Sequence, residues 1–281
     1  MRTDRAPRRA ADRIAGRIGR GLLLLALLAA TACVPGRLPA AEEVGEAGEK
    51  FGADWQSWRA DTNVSDVASV QRGARNFTSY CLGCHSLKYQ RWSRLGADLK
   101  IPQQLLEKGL VPPGAKVGDY IVSSMPAADA ETWFGKAPPD LSLMVRARGK
   151  DHIYQYLTTF YVDPKTQSGA NNLRFPATAM PDVLSELGGL KAAVFRTVVH
   201  SGSGGTMTEE KLFDHFEPLA TGRLTLAEYD SFARDTVNFL DYVSEPTQLE
   251  RRQLGVWVVL FLLVFTWLAW LVKREYWKDV H

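Results

Sequence analysis

Cysteine is scarce. Cys33, Cys81 and Cys84 are the only three in 281 residues. Three cysteines cannot supply the disulfide framework of a small secreted fold, and a four-cysteine zinc site is out of reach. Net charge is small as well, formally +3, and unevenly spread. Residues 1–40 hold eight Arg against two Asp, residues 41–250 carry a net −6, and residues 251–281 carry +3. The sequence pI of about 8.7 therefore misdescribes the body of the chain, which is acidic and unsuited to a nucleic-acid backbone. Long apolar runs are limited to one stretch of bilayer length. The length suffices for one sizeable domain plus extras.

Against this scarcity stands Cys81-Leu82-Gly83-Cys84-His85. Cys-x-x-Cys-His is the attachment pattern of a c-type haem. Thiols three positions apart lie on one side of a helical turn, so both can form thioethers to the vinyl groups of one macrocycle. The adjoining His85 can then supply the proximal nitrogen to iron. A zinc site would need a second ligand pair, and a redox dithiol would not need the histidine. One covalently bound haem c is the expected cofactor, and with Cys81 and Cys84 engaged no disulfide remains.

Residues 1–40 read as a signal peptide, with an Arg-rich start and a short apolar run at 22–30. Ala40-Ala41 is the favoured cleavage point; Cys33 as a lipidation site and a mitochondrial-style presequence are the rivals. Apolar positions Val67, Val70, Ala74, Phe77 and Cys81 describe one helix face after an Asp66 N-cap. The aromatics of the stretch after the box, Tyr89 and Trp92, read as core. Asp140 is expected to open a short helix with Arg146 and Arg148 near its end, where arginine either complements the helix dipole or pairs with a haem propionate. Residues 191–199 fit a helix or a strand, and 200–205 a glycine connector. Thr225 and Glu228 form a capping box ahead of a helix face at Leu226, Tyr229, Phe232, Ala233, Val237, Leu240 and Val243, stopped by Glu245-Pro246.

Iron needs a sixth ligand. Met125 and Met180 each precede a proline in an irregular segment, and Met180 has Pro176 and Pro181 on both sides. Proline stiffens such a loop by locking φ. That favours Met180, with Met125 left as the alternative. Met/His ligation raises the haem potential and leaves no open position for substrate.

The chain resembles the cytochrome c1 family, the haem subunit of ubiquinol–cytochrome c reductase (the cytochrome bc1 complex). The resemblance is carried by Cys84-His85-Ser86-Leu87-Lys88-Tyr89, by the run from Ala137-Pro138-Pro139-Asp140 to Arg148, by Asn171-Asn172 with Met180-Pro181, and by the C-terminal Arg274-Glu275-Tyr276-Trp277-Lys278. It implies Met180 as sixth ligand, Arg148 and Tyr154 at the propionates and Pro139 near the ring. It implies a mainly α fold: a class I cytochrome c-like haem domain with long loop insertions, its first and last helices crossing beside the haem, plus one C-terminal transmembrane helix. One departure is visible. The Met180 loop reads Phe-Pro-Ala-Thr-Ala-Met-Pro, where many family members carry a glycine and a longer aliphatic residue.

Residues 254–272 contain no charge, 19 residues or about 28 Å of helix against a hydrocarbon core of about 30 Å. Trp257, Trp267, Trp270 and Trp277 suit interfacial anchors. The resulting organisation is a signal peptide over 1–40, an exported haem domain over 41–250, a short linker at 251–253, a transmembrane helix over 254–272 and a cytoplasmic tail over 273–281. The expected location is the bacterial inner membrane with the haem domain in the periplasm. The expected function is electron transfer from the Rieske iron–sulfur protein to a soluble or tethered cytochrome c, beside cytochrome b in a dimeric respiratory complex. The competing classes are a haem subunit of another membrane oxidoreductase and a haem sensor or peroxidase with a labile sixth ligand.

Overall fold

The computed structural model describes residues 51–201 and 207–278. The leader, its cleavage point, Cys33 and most of the glycine connector lie outside them. In chain order the elements are α1 (Val67–Tyr80), β1 (Leu87–Arg91), α2 (Trp92–Asp98), α3 (Gln103–Gly109), β2 (Tyr120–Ile121), α4 (Ala127–Phe134), α5 (Met144–Arg148), α6 (Lys150–Thr158), β3 (Phe160–Val162), β4 (Ala170–Asn172), α7 (Ser185–Gly188), β5 (Leu190–Ser201), β6 (Met207–Ala220), α8 (Leu226–Ser244) and α9 (Gln248–Tyr276). The three ladders, β1–β2, β3–β4 and β5–β6, are two-stranded and antiparallel. The fold is mainly helical, as expected.

Helix α1 forms where its apolar spacing placed it. Asp66 caps it, its carboxylate accepting Ser69 N–H at 3.1 Å, and Val70, Ala74 and Phe77 are buried. That face crosses α8. Thr225 and Glu228 close the capping box at the start of α8, and Ala233, Val237, Phe239 and Leu240 are buried below it. The crossing is close because position 73 is glycine: a Cβ there would sit 2.0 Å from the Asp235 carbonyl oxygen and 2.6 Å from Phe239 Cβ. Phe77 and Phe239 pack with centroids 5.6 Å apart, and Tyr80 meets Phe232 edge-on at 5.4 Å. Polar clamps flank the apolar seam. Asp235 receives Arg72 in a two-point contact at 2.6 and 2.9 Å and Ser69 Oγ at 2.6 Å. Asn76 donates to Phe232 O and to Thr236 Oγ1.

Residues 191–199, open between helix and strand, belong to β5, which pairs with β6 from Leu190↔Ala220 to Ser201↔Met207. Val194, Val198 and Val199 are β-branched and favour the extended pairing. Of the aromatics after the box, Trp92 is buried as expected, but Tyr89 is 74% exposed because it occupies an outward position of β1. Glu245 ends α8. The linker expected at 251–253 is itself helical: α9 begins at Gln248, and Arg251 Nε reaches back to Glu245 Oε1 at 2.5 Å. Helix α9 is long and apolar enough to cross a membrane, and its apolar side chains over 254–270 are uncovered by protein.

The helix crossing yields a sharp expectation. Gly73→Ala should cost about 3 kcal/mol or more, because the added methyl meets backbone on the facing helix. Thermal unfolding of the detergent-solubilised protein measures this. A loss under about 0.5 kcal/mol would mean that the helices do not meet at Gly73.

Candidate functional site: the Cys81–His85 turn and the Met180 loop

The Cys-x-x-Cys-His residues leave α1 as a tight turn. Cys81 N–H donates to Phe77 O at 2.8 Å, and Cys84 N–H and His85 N–H both donate to Cys81 O, at 3.0 and 2.8 Å. The two thiols are therefore presented by one turn and are not joined in a disulfide. Burial pushes the Cys81 thiol up to about 12, with Cys84 adding to the rise, and burial also raises Cys84. A disulfide-exchange centre needs the opposite, a depressed thiol that is thiolate at neutral pH.

His85 is 9% exposed, and its Nδ1 lies 2.8 Å from the carbonyl oxygen of Pro139. A carbonyl can only accept, so Nδ1 carries the proton and Nε2 keeps a free lone pair. Burial lowers the pKa of the ring against the opposing pull of the Pro139 bond and Asp140. The imidazole is thus held neutral and oriented, as a metal ligand requires. Pro139 acts through its backbone oxygen.

The segment carrying Pro139 is itself anchored to the residues following the box. Leu141 N–H donates to Ser86 O at 2.9 Å, Lys88 N–H to Asp140 Oδ2 at 2.8 Å, and Tyr89 N–H to Ser142 Oγ at 3.2 Å. Asp140 was expected to open the helix. It does not, because its carboxylate is taken by Lys88 and Ser142 N–H, and α5 begins at Met144. Ser123 closes the other side, donating through Oγ to Gly83 O at 2.7 Å and receiving Met125 N–H at 3.1 Å. Met125 therefore lies in the segment that braces the Cys81–His85 turn.

Met180 sits half-buried at the end of a loop pinned by two asparagines. Asn172 is fully buried: its Oδ1 accepts Arg174 N–H at 2.9 Å and Phe175 N–H at 3.1 Å, and its Nδ2 donates to Tyr156 O at 2.8 Å. Asn171 Oδ1 accepts Ala177 N–H at 2.9 Å. Thr178 Oγ1 accepts Met180 N–H at 3.4 Å and lies 2.7 Å from Tyr156 OH. Ala177 has φ +58°, a left-handed conformation that costs a residue with a Cβ about 1 kcal/mol.

Arg148 is exposed at the end of α5. Tyr154 is buried on α6, and its hydroxyl donates to Asp230 Oδ1, with the Arg234 guanidinium 4.9 Å over its ring. Burial raises its pKa, and the bond to Asp230 adds to the rise. Tyr154 also lines a cavity of about 720 Å³ that runs past Lys191, Tyr229 and Arg234 and contains neither His85 nor Met180. Sequence reading missed the bracing roles of Ser123, Asn171 and Asn172. The available signal was a pair of asparagines, residues with a donor and an acceptor, just ahead of a proline-flanked methionine.

Two substitutions probe the loop. Ala177→Gly should raise stability by about 0.5 kcal/mol, the relief of the left-handed alanine less the extra freedom glycine adds to the unfolded chain. Asn172→Ala should lower it by about 2–3 kcal/mol by orphaning buried backbone groups. Unfolding midpoints read both, and a destabilising Ala177→Gly would contradict the loop geometry.

The chain matches the sequence profile of the Cytochrome C1 family over residues 112–280, which include Pro139 and Met180. A cytochrome c1 from Allochromatium vinosum is 45% identical over 222 residues, covering 79% of this chain and 88% of that protein. An ammonia monooxygenase gamma subunit from Nitrosomonas europaea is 40% identical over 223 residues, with coverage of 79% and 88%. A mitochondrial cytochrome b-c1 complex catalytic subunit from Candida albicans is 29% identical over 240 residues, with coverage of 76% and 73%. With an oriented imidazole beside two thiols of one turn and a pinned methionine loop, these matches show that the chain belongs to the cytochrome c1 family.

Proposed function

We propose that this protein is the membrane-anchored mono-haem subunit of a respiratory cytochrome bc1 complex, taking one electron from the Rieske iron–sulfur protein and passing it to a soluble or tethered cytochrome c. The bond from His85 Nδ1 to Pro139 O carries the reading, because it leaves Nε2 as a ready iron ligand. Haem c, when bound, supplies a one-electron iron couple. Cys81 and Cys84 would hold it by thioethers, His85 and Met180 would bind its iron, and Pro139 would lie beside it. Saturated ligation leaves no place for a substrate, so the chain passes electrons only. The crossing of α1 and α8 beside the box supports a class I cytochrome c-like haem domain.

Arg148 and Tyr154 would take the propionates. The Arg148 guanidinium is exposed, without an ion pair or hydrogen bond among the described residues. Tyr154 would exchange Asp230 for a carboxylate, leaving Asp230 to Arg234, already 2.7 Å away. Helix α9 would anchor the domain beside cytochrome b in a dimeric complex, with the haem domain in the periplasm and the C-terminus in the cytoplasm. The net −6 over residues 41–250 would steer a basic acceptor, mainly through its association rate.

The first test is spectroscopic. Met180→Leu should abolish the near-infrared sulfur–iron band of the oxidised protein and lower its reduction potential. An unchanged band would transfer the ligand role elsewhere, Met125 being the alternative. Carbon monoxide added to the reduced wild type should cause no rapid spectral change, and a fast one would favour a sensor or peroxidase. Cytochrome b should co-purify with the full-length chain. Recovery with monooxygenase subunits instead would favour the function named for the Nitrosomonas relative. Acceptor association should slow as salt rises, and a salt-independent rate would remove the steering role.

A further inference from the structure

At the root of the Met180 loop three basic side chains lie together with no facing acid among the described residues. Arg174 Nε donates to His152 Nδ1 at 2.8 Å. With Nδ1 accepting, the imidazole proton resides on Nε2 and the ring is neutral. Burial lowers the tendency of His152 to charge, and the Arg174 and Arg148 guanidiniums act in the same direction. The sequence-adjacent carboxylate is not available: Asp151 Oδ1 accepts Ala60 N–H at 2.8 Å and its Oδ2 is 3.7 Å from Arg59 Nε. Among the described residues none of Arg148, His152 and Arg174 has an ion-pair partner.

Two guanidiniums beside one imidazole, with no counter-charge, repel one another unless an anion joins them. The Arg174 side chain is also directed. Its Nε is occupied by His152, and its backbone N–H is held by the buried Asn172 at 2.9 Å. The terminal nitrogens of its planar fork have no partner among the described residues, the geometry that suits a carboxylate. Met180 lies six residues further along the same pinned loop.

We infer that Arg174 and His152 complete, with Arg148, a carboxylate-recognition edge that takes a haem propionate. Arg174 supplies the fork, and His152 orients it through Nδ1 while offering Nε2–H as a second donor. The inference rests on the haem reading proposed above. It extends that reading to two residues outside the axial and thioether set, and it links propionate binding to the loop that presents Met180.

The test uses the detergent-purified, full-length holoprotein, with three readouts: the propionate bending mode in resonance Raman spectra, the reduction potential, and the near-infrared sulfur–iron band. Arg174→Gln should shift the propionate mode and lower the potential, since removing a positive charge beside the haem disfavours the reduced state, while the sulfur–iron band persists. His152→Leu should shift the same mode in the same direction by a smaller amount. Arg174→Lys, keeping the charge without the fork, should restore most of the potential and little of the mode. An unshifted propionate mode in both Arg174→Gln and His152→Leu would overturn the inference, and loss of the sulfur–iron band alone would reduce Arg174 to a loop brace. If the unaltered protein shows neither haem mode nor sulfur–iron band, the haem reading itself fails.

Discussion

A buried imidazole must satisfy its donor nitrogen, and in this protein that nitrogen reaches a carbonyl 54 residues away, Pro139 O. The rest of the site can be traced from that bond. It chooses the tautomer, directs Nε2, and ties the turn at the end of α1 to the segment ahead of α5. The same segment is sewn to residues 86–89 by three further hydrogen bonds, so the acceptor cannot drift from the ring. Prolines 138 and 139 suit this use, since they lack a donor of their own and stiffen the chain that carries the carbonyl.

Two further parts of the site are each fixed by close packing or hydrogen bonds. One is the α1–α8 crossing, where glycine at 73 lets two backbones approach and Asp235 accepts three hydrogen bonds from two residues, Arg72 and Ser69, at the seam. The other is the Met180 loop, where the side chains of Asn171 and Asn172 supply the hydrogen bonds that an irregular backbone cannot make with itself. Hydrophobic burial stabilises the domain, but side-chain amides and carboxylates fix the segments that carry Pro139 and Met180. The strained alanine at 177 shows the loop holding a shape that its local sequence does not prefer.

The cytochrome c1 family also places the acidic body and the uncovered apolar helix α9 in one account. Helix α9 is long and apolar enough to cross a membrane, and its apolar side chains are uncovered by protein. The uneven charge along the chain, hidden by a small net value, separates an acidic body from two basic flanks. Its 40% identity to a monooxygenase gamma subunit shows that this scaffold carries more than one assigned name.

How much was legible depended on the range of the physics involved. The haem-box pattern, the α1 face, the Thr225–Glu228 capping box and the apolar run of α9 are set by residues within a few positions of one another, so spacing alone determined them. Residues 191–199 were ambiguous because short apolar runs fit either period, and pairing with β6 decided them. Asp140 carries the residue type of a helix cap, yet Lys88, 52 positions away, claims its carboxylate. The same holds for Tyr154 on Asp230 and for Asn172 beneath the Met180 loop. Which donor meets which acceptor across such distances is settled only when the core closes and water is excluded, because an unpaired buried group is then too costly to leave.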